Sequence, residues 1–345
     1  MSTHTLTLEL DGAPPSFIPL ASGESVLDAL LRAGIAVPNF CRAGACQSCL
    51  MRVTAGVVPA AAQVGLKDAF RARGLFLACS CVPTGDLAIT FADGVTNCAP
   101  AIIREIERFS SDVCRVRLEC EGPFPHFPGQ FVNLARPDGL VRSYSIASLH
   151  WAPGLAPGDD HIELHVRKVA GGQMSGWLFD DARPGDAVEL RGPAGDCFYV
   201  PGRPEQPILL VGTGTGLAPL YAIARDALRH GHTGPIRLYH GALRPAGLYL
   251  VDALRELAGR HGNFNYVPCV LNDDDGQGAF RTGAIDRVVF ADLPKLAGWR
   301  AFLCGDPGLV VALRKKVYLA GAKMADIYAD AFITAKGGVA SGALS

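Results

Sequence analysis

The chain has almost no net charge. Its 32 Lys and Arg stand against 33 Asp and Glu, a formal charge of −1, so the basic footprint of a nucleic-acid binder is missing. Long apolar runs are missing too. The richest, residues 208–211, has the length of a strand and falls far below the ~18–20 residues of a membrane helix. No charged-then-apolar leader opens the chain. Thr5-Leu6-Thr7-Leu8-Glu9-Leu10 alternates as a strand does, which predicts a cytoplasmic protein without a targeting segment. Internal repeats and low-complexity tracts are absent. So is any Ser/His/Asp or paired-carboxylate constellation, which removes the obvious hydrolytic chemistries. What is present is length and apolar mass: 345 residues, 49% hydrophobic, enough for two or three packed domains. The 40 Gly and 24 Pro imply many turns and much β structure.

Four of the eleven cysteines form a pattern. Cys41, Cys46 and Cys49 stand in C-R-A-G-A-C-Q-S-C, and Cys79 follows within L-F-L-A-C-S-C. The spacing C-x4-C-x2-C…C is the plant-type arrangement for a [2Fe-2S] cluster. Three ligands so close together require one loop to wrap the cluster, and Gly44, Ala43, Ala45 and Ser48 are small enough for backbone N–H groups to approach the sulfides. A zinc site is the alternative, but zinc favours two C-x2-C knuckles and only one is present. Cys81, Cys98, Cys114, Cys120, Cys197, Cys269 and Cys304 read as spare buried thiols. In a chain of this length, without a small-scaffold pattern, they fit a reducing compartment better than a disulfide framework.

Three segments follow from the patterning. Residues 1–95 begin with a hairpin, 5–10 and 16–20 around Asp11-Gly12, then a helix over 26–33 capped by Ser25 and stopped by Gly34. Short strands are predicted at 50–53, 76–78 and 87–91. Residues 98–204 are rich in β-branched alternation (102–106, 113–118, 162–166, 187–191) broken by Pro and Gly, the pattern of a small antiparallel barrel. Residues 93–97 form a short linker that keeps the first two units close. From 205 to 345, strands at 208–211, 236–240, 264–270 and 301–304 alternate with helical stretches at 218–230 and 253–261, which predicts a doubly wound parallel sheet. The end, 336–345, is small, polar and expected to be loose. Asp273-Asp274-Asp275-Gly276 looks superficially like a calcium loop, but it lacks the full spacing and the terminal Glu, so a solvated loop is the reading.

Two pairs of motifs carry chemistry. Arg142-Ser143-Tyr144-Ser145-Ile146-Ala147 is on its own an ordinary strand. It gains meaning from Gly171-Gly172-Gln173-Met174-Ser175, where bare N–H groups and a hydroxyl at a helix start make an anion site. An arginine and such a nest suit a pyrophosphate, and an aromatic between them suits a planar ring. The second pair is Gly212-Thr213-Gly214-Thr215-Gly216-Leu217-Ala218-Pro219, directly after a strand, and Cys304-Gly305-Asp306-Pro307. A glycine-rich turn lets a dinucleotide pyrophosphate reach a helix N-terminus, although the spacing is not the Rossmann G-x-G-x-x-G. Cys304 alone could equally be a core thiol.

These motifs carry a resemblance. The first segment, S-V-L-D-A-L-L-R-A-G-I-A-V-P-N-F-C-R-A-G-A-C included, resembles plant-type ferredoxins, whose fold is a β-grasp. R-S-Y-S…G-G-x-x-S resembles the flavin domain of the ferredoxin–NADP reductase superfamily. V-G-T-G-T-G-L-A-P and C-G-D-P resemble its nicotinamide domain. The resemblance implies that Arg142 pairs with the FAD pyrophosphate, Tyr144 stacks on the isoalloxazine and Ser145 approaches flavin N5. His165, Val166 and Arg167 would line the ribityl chain and ring edge, and Gly172, Met174 and Ser175 would hold phosphate. Gly212, Thr213, Gly214, Thr215, Gly216 and Pro219 would cradle the dinucleotide, with Cys304, Gly305, Asp306 and Pro307 beside the nicotinamide. Asp330-Ala331-Phe332 is similar to the family's acidic-x-Phe terminus, where Phe332 would cover the flavin; a buried core Phe is the alternative.

As a whole the chain resembles the reductase components of multicomponent oxygenases, with ferredoxin, FAD and NAD domains in that order. The implied function is electron transfer from NAD(P)H through FAD and the cluster to a terminal oxygenase, Rieske-type or di-iron. G-A-L-R-P-A-G-L-Y-L is similar to members using NADH. No acidic residue after 238–240 marks the ribose, and Arg244 is one candidate partner for a 2′-phosphate, so NADPH stays open. The N-terminal place of the ferredoxin segment goes with FAD, since members with a C-terminal one use FMN. A monomer is expected. Delivery to a deoxysugar dehydratase, or a redox sensor without turnover, are the alternatives.

Overall fold

Local signals in the first segment end in a mixed sheet with a helix across it. The computed structural model describes residues 4–10, 12–37, 39, 42, 49–92, 97–150, 158–273 and 280–332. The chain divides into two compact units, 1–96 and 97–345. In the first, strands β1 (Thr5–Leu8), β2 (Ser16–Pro19), β3 (Leu50–Ala55), β4 (Leu75–Leu77) and β5 (Leu87–Phe91) lie in the order β2-β1-β5-β3-β4. β1 and β5 run parallel and the other pairs antiparallel. This is a β-grasp sheet. Helix α1 (Val26–Arg32) starts where the Ser25 hydroxyl accepts the Asp28 N–H at 3.1 Å, and the chain leaves it through Gly34 at φ +77°. Its apolar face, Val26, Leu27 and Leu30, packs on Leu6, Leu8, Met51, Phe76 and Ile89, all buried. A short helix, α2 (Asp68–Ala72), precedes β4.

The second unit opens with a barrel. Strands β6 (Asn97–Arg108), β7 (Val113–Cys120), β8 (Phe131–Ala135), β9 (Val141–Ser145), β10 (Ile162–Arg167) and β11 (Ala187–Ala194) pair antiparallel in the order β10-β7-β6-β11-β8-β9. A bridge between Ile146 and Leu164 joins the two edges and closes the ring. Helix α3 (Gln173–Asp180) caps it, with Met174, Leu178 and Phe179 in the barrel core.

A parallel sheet follows. β12 (Ile208–Thr213), α4 (Leu217–Arg229), β13 (Ile236–Ala242), α5 (Val251–Arg260), β14 (Phe264–Val270), β15 (Arg281–Thr282), α6 (Ile285–Asp292), β16 (Arg300–Gly305), α7 (Pro307–Leu319) and β17 (Ile327–Ala331) alternate along the chain. The order β15-β14-β13-β12-β16-β17 places β12 in the middle, with successive strands added first on one side and then on the other. That reversal is the topological switch point, and ligands of such sheets bind at its carboxyl ends. Barrel and parallel sheet are tied within this unit. Arg229 donates to the His150 carbonyl at 2.8 Å, Arg300 to the Val200 carbonyl at 3.0 Å, and Arg225 pairs with Asp159 at 3.3 Å.

Among the described residues no helix is long and apolar enough to cross a membrane. Residues 93–96, 274–276 and 336–345, read above as linker, solvated loop and loose end, lie outside the described residues. Of the thiols expected to be buried, Cys98 is exposed instead, on the first strand of the barrel.

Candidate redox site

Cys41 and Cys46 lie outside the described residues. The other two thiols of the cluster motif face each other. Cys49 is buried immediately before β3, and Cys79 is half-buried on a single turn after β4. Burial pushes the Cys49 thiol up, while it accepts from the Cys79 backbone N–H and bonds the Cys79 side chain. Two sulfurs brought together at the same end of one antiparallel strand pair fit half of a thiolate cage. Between Cys41 and Cys46 in sequence, Arg42 adopts φ +51° and its guanidinium reaches Asp28 on α1 at 3.5 Å, so the loop entry is tied to the helix.

The flavin motif lies along β9. Its register against β8 sets Arg142 opposite Leu134 and Tyr144 opposite Val132, so both side chains leave the same face. Arg142 is exposed, donates only to the Val141 carbonyl, and has no carboxylate partner among the described residues. Tyr144 packs against the barrel core, and burial raises its phenol. Ser145 is buried and donates to Asp330 Oδ2 at 3.3 Å. Burial raises the Asp330 carboxyl as well. A Cβ on Gly172 would meet Ser175 Oγ at 2.5 Å, so a larger residue at this helix start would have to displace that hydroxyl. The Ser175 hydroxyl accepts from the Val169 N–H at 3.1 Å and so holds the loop closed.

The nicotinamide motifs meet at the carboxyl ends of β12 and β16, which are hydrogen-bonded neighbours. A Cβ on Gly212 would meet Leu220 Cδ1 at 2.7 Å, and one on Gly305, at φ +117°, would meet the Thr213 carbonyl at 2.8 Å. Both glycines are therefore demanded by close backbone approach, and that approach leaves a cradle of bare N–H groups. Gly214 takes φ +53°, and the Arg167 guanidinium stands 3.5 Å from its Cβ position, so the barrel presents a cation to this turn. Thr213 Oγ1 accepts from the Asp306 N–H at 3.4 Å. Asp306 caps α7 by accepting from Leu309 N–H at 2.9 Å, with Pro307 at its first position. Pro219 is buried in the first turn of α4, and Thr215 and Gly216 lie on the turn before it. Cys304 is buried, 3.7 Å from Cys197 Sγ, and burial raises its thiol far above the ordinary range. It pairs in register with Asp330 on β17, and the Phe332 N–H donates to the Gly305 carbonyl at 2.8 Å. Phe332 is half-buried, not a core residue. Ser145, Cys304, Asp330 and Phe332, far apart in sequence, thus converge on one mouth.

Three matches to known families run the length of the chain: a 2Fe-2S iron-sulfur cluster binding domain over residues 10–84, an oxidoreductase FAD-binding domain over 100–199 and an oxidoreductase NAD-binding domain over 210–315. The ferredoxin–NAD(P)(+) reductase component of the naphthalene 1,2-dioxygenase system of Pseudomonas putida is 35% identical, over 91% of this chain and 95% of its own length. The reductase subunit of an aromatic O-demethylase from Amycolatopsis is 38% identical, over 84% and 88% respectively. The chain belongs to this family of ferredoxin–NAD(P)+ reductases. A solved Amycolatopsis cytochrome P450 reductase shares the fold of the reductase at a TM-score of 0.64, with 34% identity, over 95% of this chain and 99% of that one.

The geometry adds side-chain contacts that the residue reading did not contain. The His165 side chain is fully buried and both its nitrogens are engaged, Nε2 with Glu163 at 2.9 Å and Nδ1 with the Tyr249 hydroxyl at 3.1 Å, so the imidazole faces away from the barrel core. Val166 and Met174 are core side chains of the barrel and can offer a cofactor only backbone. Sequence reasoning passed over Asp330 as a site residue, although the acidic-x-Phe text marked it. It also missed Glu163 and Tyr249, for which no local motif exists.

Proposed function

We propose that this reductase takes a hydride from NADH and delivers single electrons to the terminal oxygenase of an aromatic-oxidising system, and that its three domains divide near residues 95 and 204. FAD held by Arg142, Tyr144 and the Gly172–Ser175 turn would supply the conversion of an electron pair into single electrons. The observation that carries the reading is the convergence of Ser145, Cys304, Asp330 and Phe332 at the switch point of the parallel sheet.

The chain's own residues have limited tasks. Arg142 and the N–H groups after Gly171 hold the flavin pyrophosphate, and the face of Tyr144 supports the ring. The Gly212–Gly216 turn, with Arg167 above Gly214, binds the dinucleotide pyrophosphate. Burial keeps a proton on Asp330 to higher pH than usual, so the Asp330–Ser145 pair can hold a proton at Ser145 Oγ beside the flavin edge. The neutral Cys304 thiol shapes the nicotinamide pocket. Cys41, Cys46, Cys49 and Cys79 ligate the cluster.

Visible spectra of the purified protein before and after NADH, and separately NADPH, test this directly. Flavin bleaching and loss of the broad red [2Fe-2S] absorption with NADH, followed by turnover with a Rieske or di-iron oxygenase, are expected. A flavin band without the red absorption would refute the cluster, and turnover with a deoxysugar dehydratase alone would refute the oxygenase.

A further inference from the structure

Strand β10 has two faces. Ile162, Leu164 and Val166 enter the barrel core. Glu163, His165 and Arg167 take the other side and meet the parallel sheet. The Glu163 carboxylate is flanked by His165 at 2.9 Å, Arg117 at 3.6 Å, His161 at 3.6 Å and Arg115 at 4.0 Å. A carboxylate only accepts, so His165 Nε2 carries the hydrogen and Nδ1 is left to accept from the Tyr249 hydroxyl. The Tyr249 ring is also fully engaged. Phe109 stacks on it at 5.5 Å, and His165 and His240 meet it edge-on at 5.3 and 5.4 Å. Glu163, His165 and Tyr249 each have a polar partner, which offsets the desolvation of these three groups.

Tyr249 closes the segment 241–249, which leaves the carboxyl end of β13 beside the glycine turn of β12. After Ala242, the last residue of β13, the only regular structure before Tyr249 is one turn, Pro245–Gly247, and Leu243 is 71% exposed. Leu250 then enters α5 at φ +56°, so the chain reverses directly after Tyr249. In a doubly wound sheet the strand beside the glycine turn receives the adenosine half of the dinucleotide. A segment with so little support of its own needs an anchor.

We propose that Tyr249, fixed by His165 and through it by Glu163, is the positioning group for the segment that receives the adenosine half of the nicotinamide dinucleotide, so that this buried triad sets dinucleotide affinity and not the hydride-transfer step. The proposal rests on reading residues 212–216 as the dinucleotide turn.

The holoenzyme provides the test, by anaerobic stopped-flow reduction of the flavin at graded NADH concentrations. Tyr249→Phe removes one oxygen atom. It is expected to raise the Kd for NADH about five- to tenfold, the effect of one net hydrogen bond. The limiting reduction rate should stay within about twofold, with the FAD and cluster spectra retained, a split that a merely structural role would not produce. His165→Gln should act alike, and the double variant should be no weaker than the poorer single one, because both break one chain. Unchanged NADH affinity in Tyr249→Phe, a fall confined to the limiting rate, or effects that multiply in the double variant would each overturn the proposal. If Gly216→Ala left NADH affinity intact, the dinucleotide turn itself would be misread, a failure separate from that of the triad.

Discussion

Ser145 donates its hydroxyl proton to Asp330 from the last position of β9, at the barrel's contact with β17. Burial favours the protonated Asp330 carboxyl, which can donate to Ser145 Oγ in turn and free the hydroxyl proton for charge that develops beside it, so removal of the hydroxyl should show in the rate of reduction and not in cofactor retention. Ser145→Ala is expected to slow flavin reduction at saturating NADH about ten- to a hundredfold with FAD content unchanged, measured by anaerobic stopped flow. Glu163 makes a different prediction at the same scale. Burial alone would raise its carboxyl, but hydrogen bonds from His161 and His165 and the electrostatic pull of His165 and Arg115 outweigh that and hold it well below the ordinary range. A carboxyl lowered on folding contributes stability above its unfolded pKa and loses it as pH falls toward the folded one. Glu163→Gln should therefore lower the melting temperature at pH 7, and the gap to the parent should narrow below about pH 4, the unfolded range of a Glu. Thermal unfolding at pH 7 and at the lowest reversible pH checks this; a gap of constant width would contradict it.

Elements fix where these residues meet. The turn between β12 and α4 lies so close to β16 that a Cβ on Gly216 would come within 2.7 Å of the Cys304 carbonyl carbon and 2.9 Å of Gly305 Cα. Both neighbours are backbone and cannot rotate away. Gly216→Ala must push the turn from β16, and NADH affinity should fall about five- to a hundredfold, from roughly 1–3 kcal/mol of overpacking, while the cluster spectrum is unchanged. Titration of flavin bleaching with NADH reads the shift. This turn was legible in the sequence because a glycine run after an apolar strand has a local cause. The same holds for Ser25 capping α1 and for the β14 boundaries, which the periodicity places at Phe264–Val270. α6 and β17 were not legible. β17 is five residues with no turn signal, and only its parallel pairing with β16 brings Asp330 to Ser145. The contacts of His165 were not legible for a related reason. Alternation along β10 tells which residues share a face, but not that the partner of one face is Tyr249, 84 positions away.

At the scale of the whole molecule, the flavin module and the ferredoxin unit share one chain, and that changes what electrostatics must do. Free partners that exchange electrons rely on complementary charge to speed encounter, and such rates fall steeply with salt. A tethered unit gains effective concentration from its connection instead. Residues 1–92 hold six Lys and Arg and six Asp and Glu, so this unit carries no net charge with which to steer. Transfer from flavin to cluster within the chain should therefore change less than about twofold between low and physiological ionic strength. Delivery from the cluster to a separate oxygenase is bimolecular and is free to show the steeper dependence. Stopped-flow traces that follow the flavin and the cluster at separate wavelengths, with NADH and no acceptor, isolate the internal step. A steep slowing with added salt in those traces would mean that the ferredoxin unit finds the flavin module by charge, despite the tether and its balanced composition.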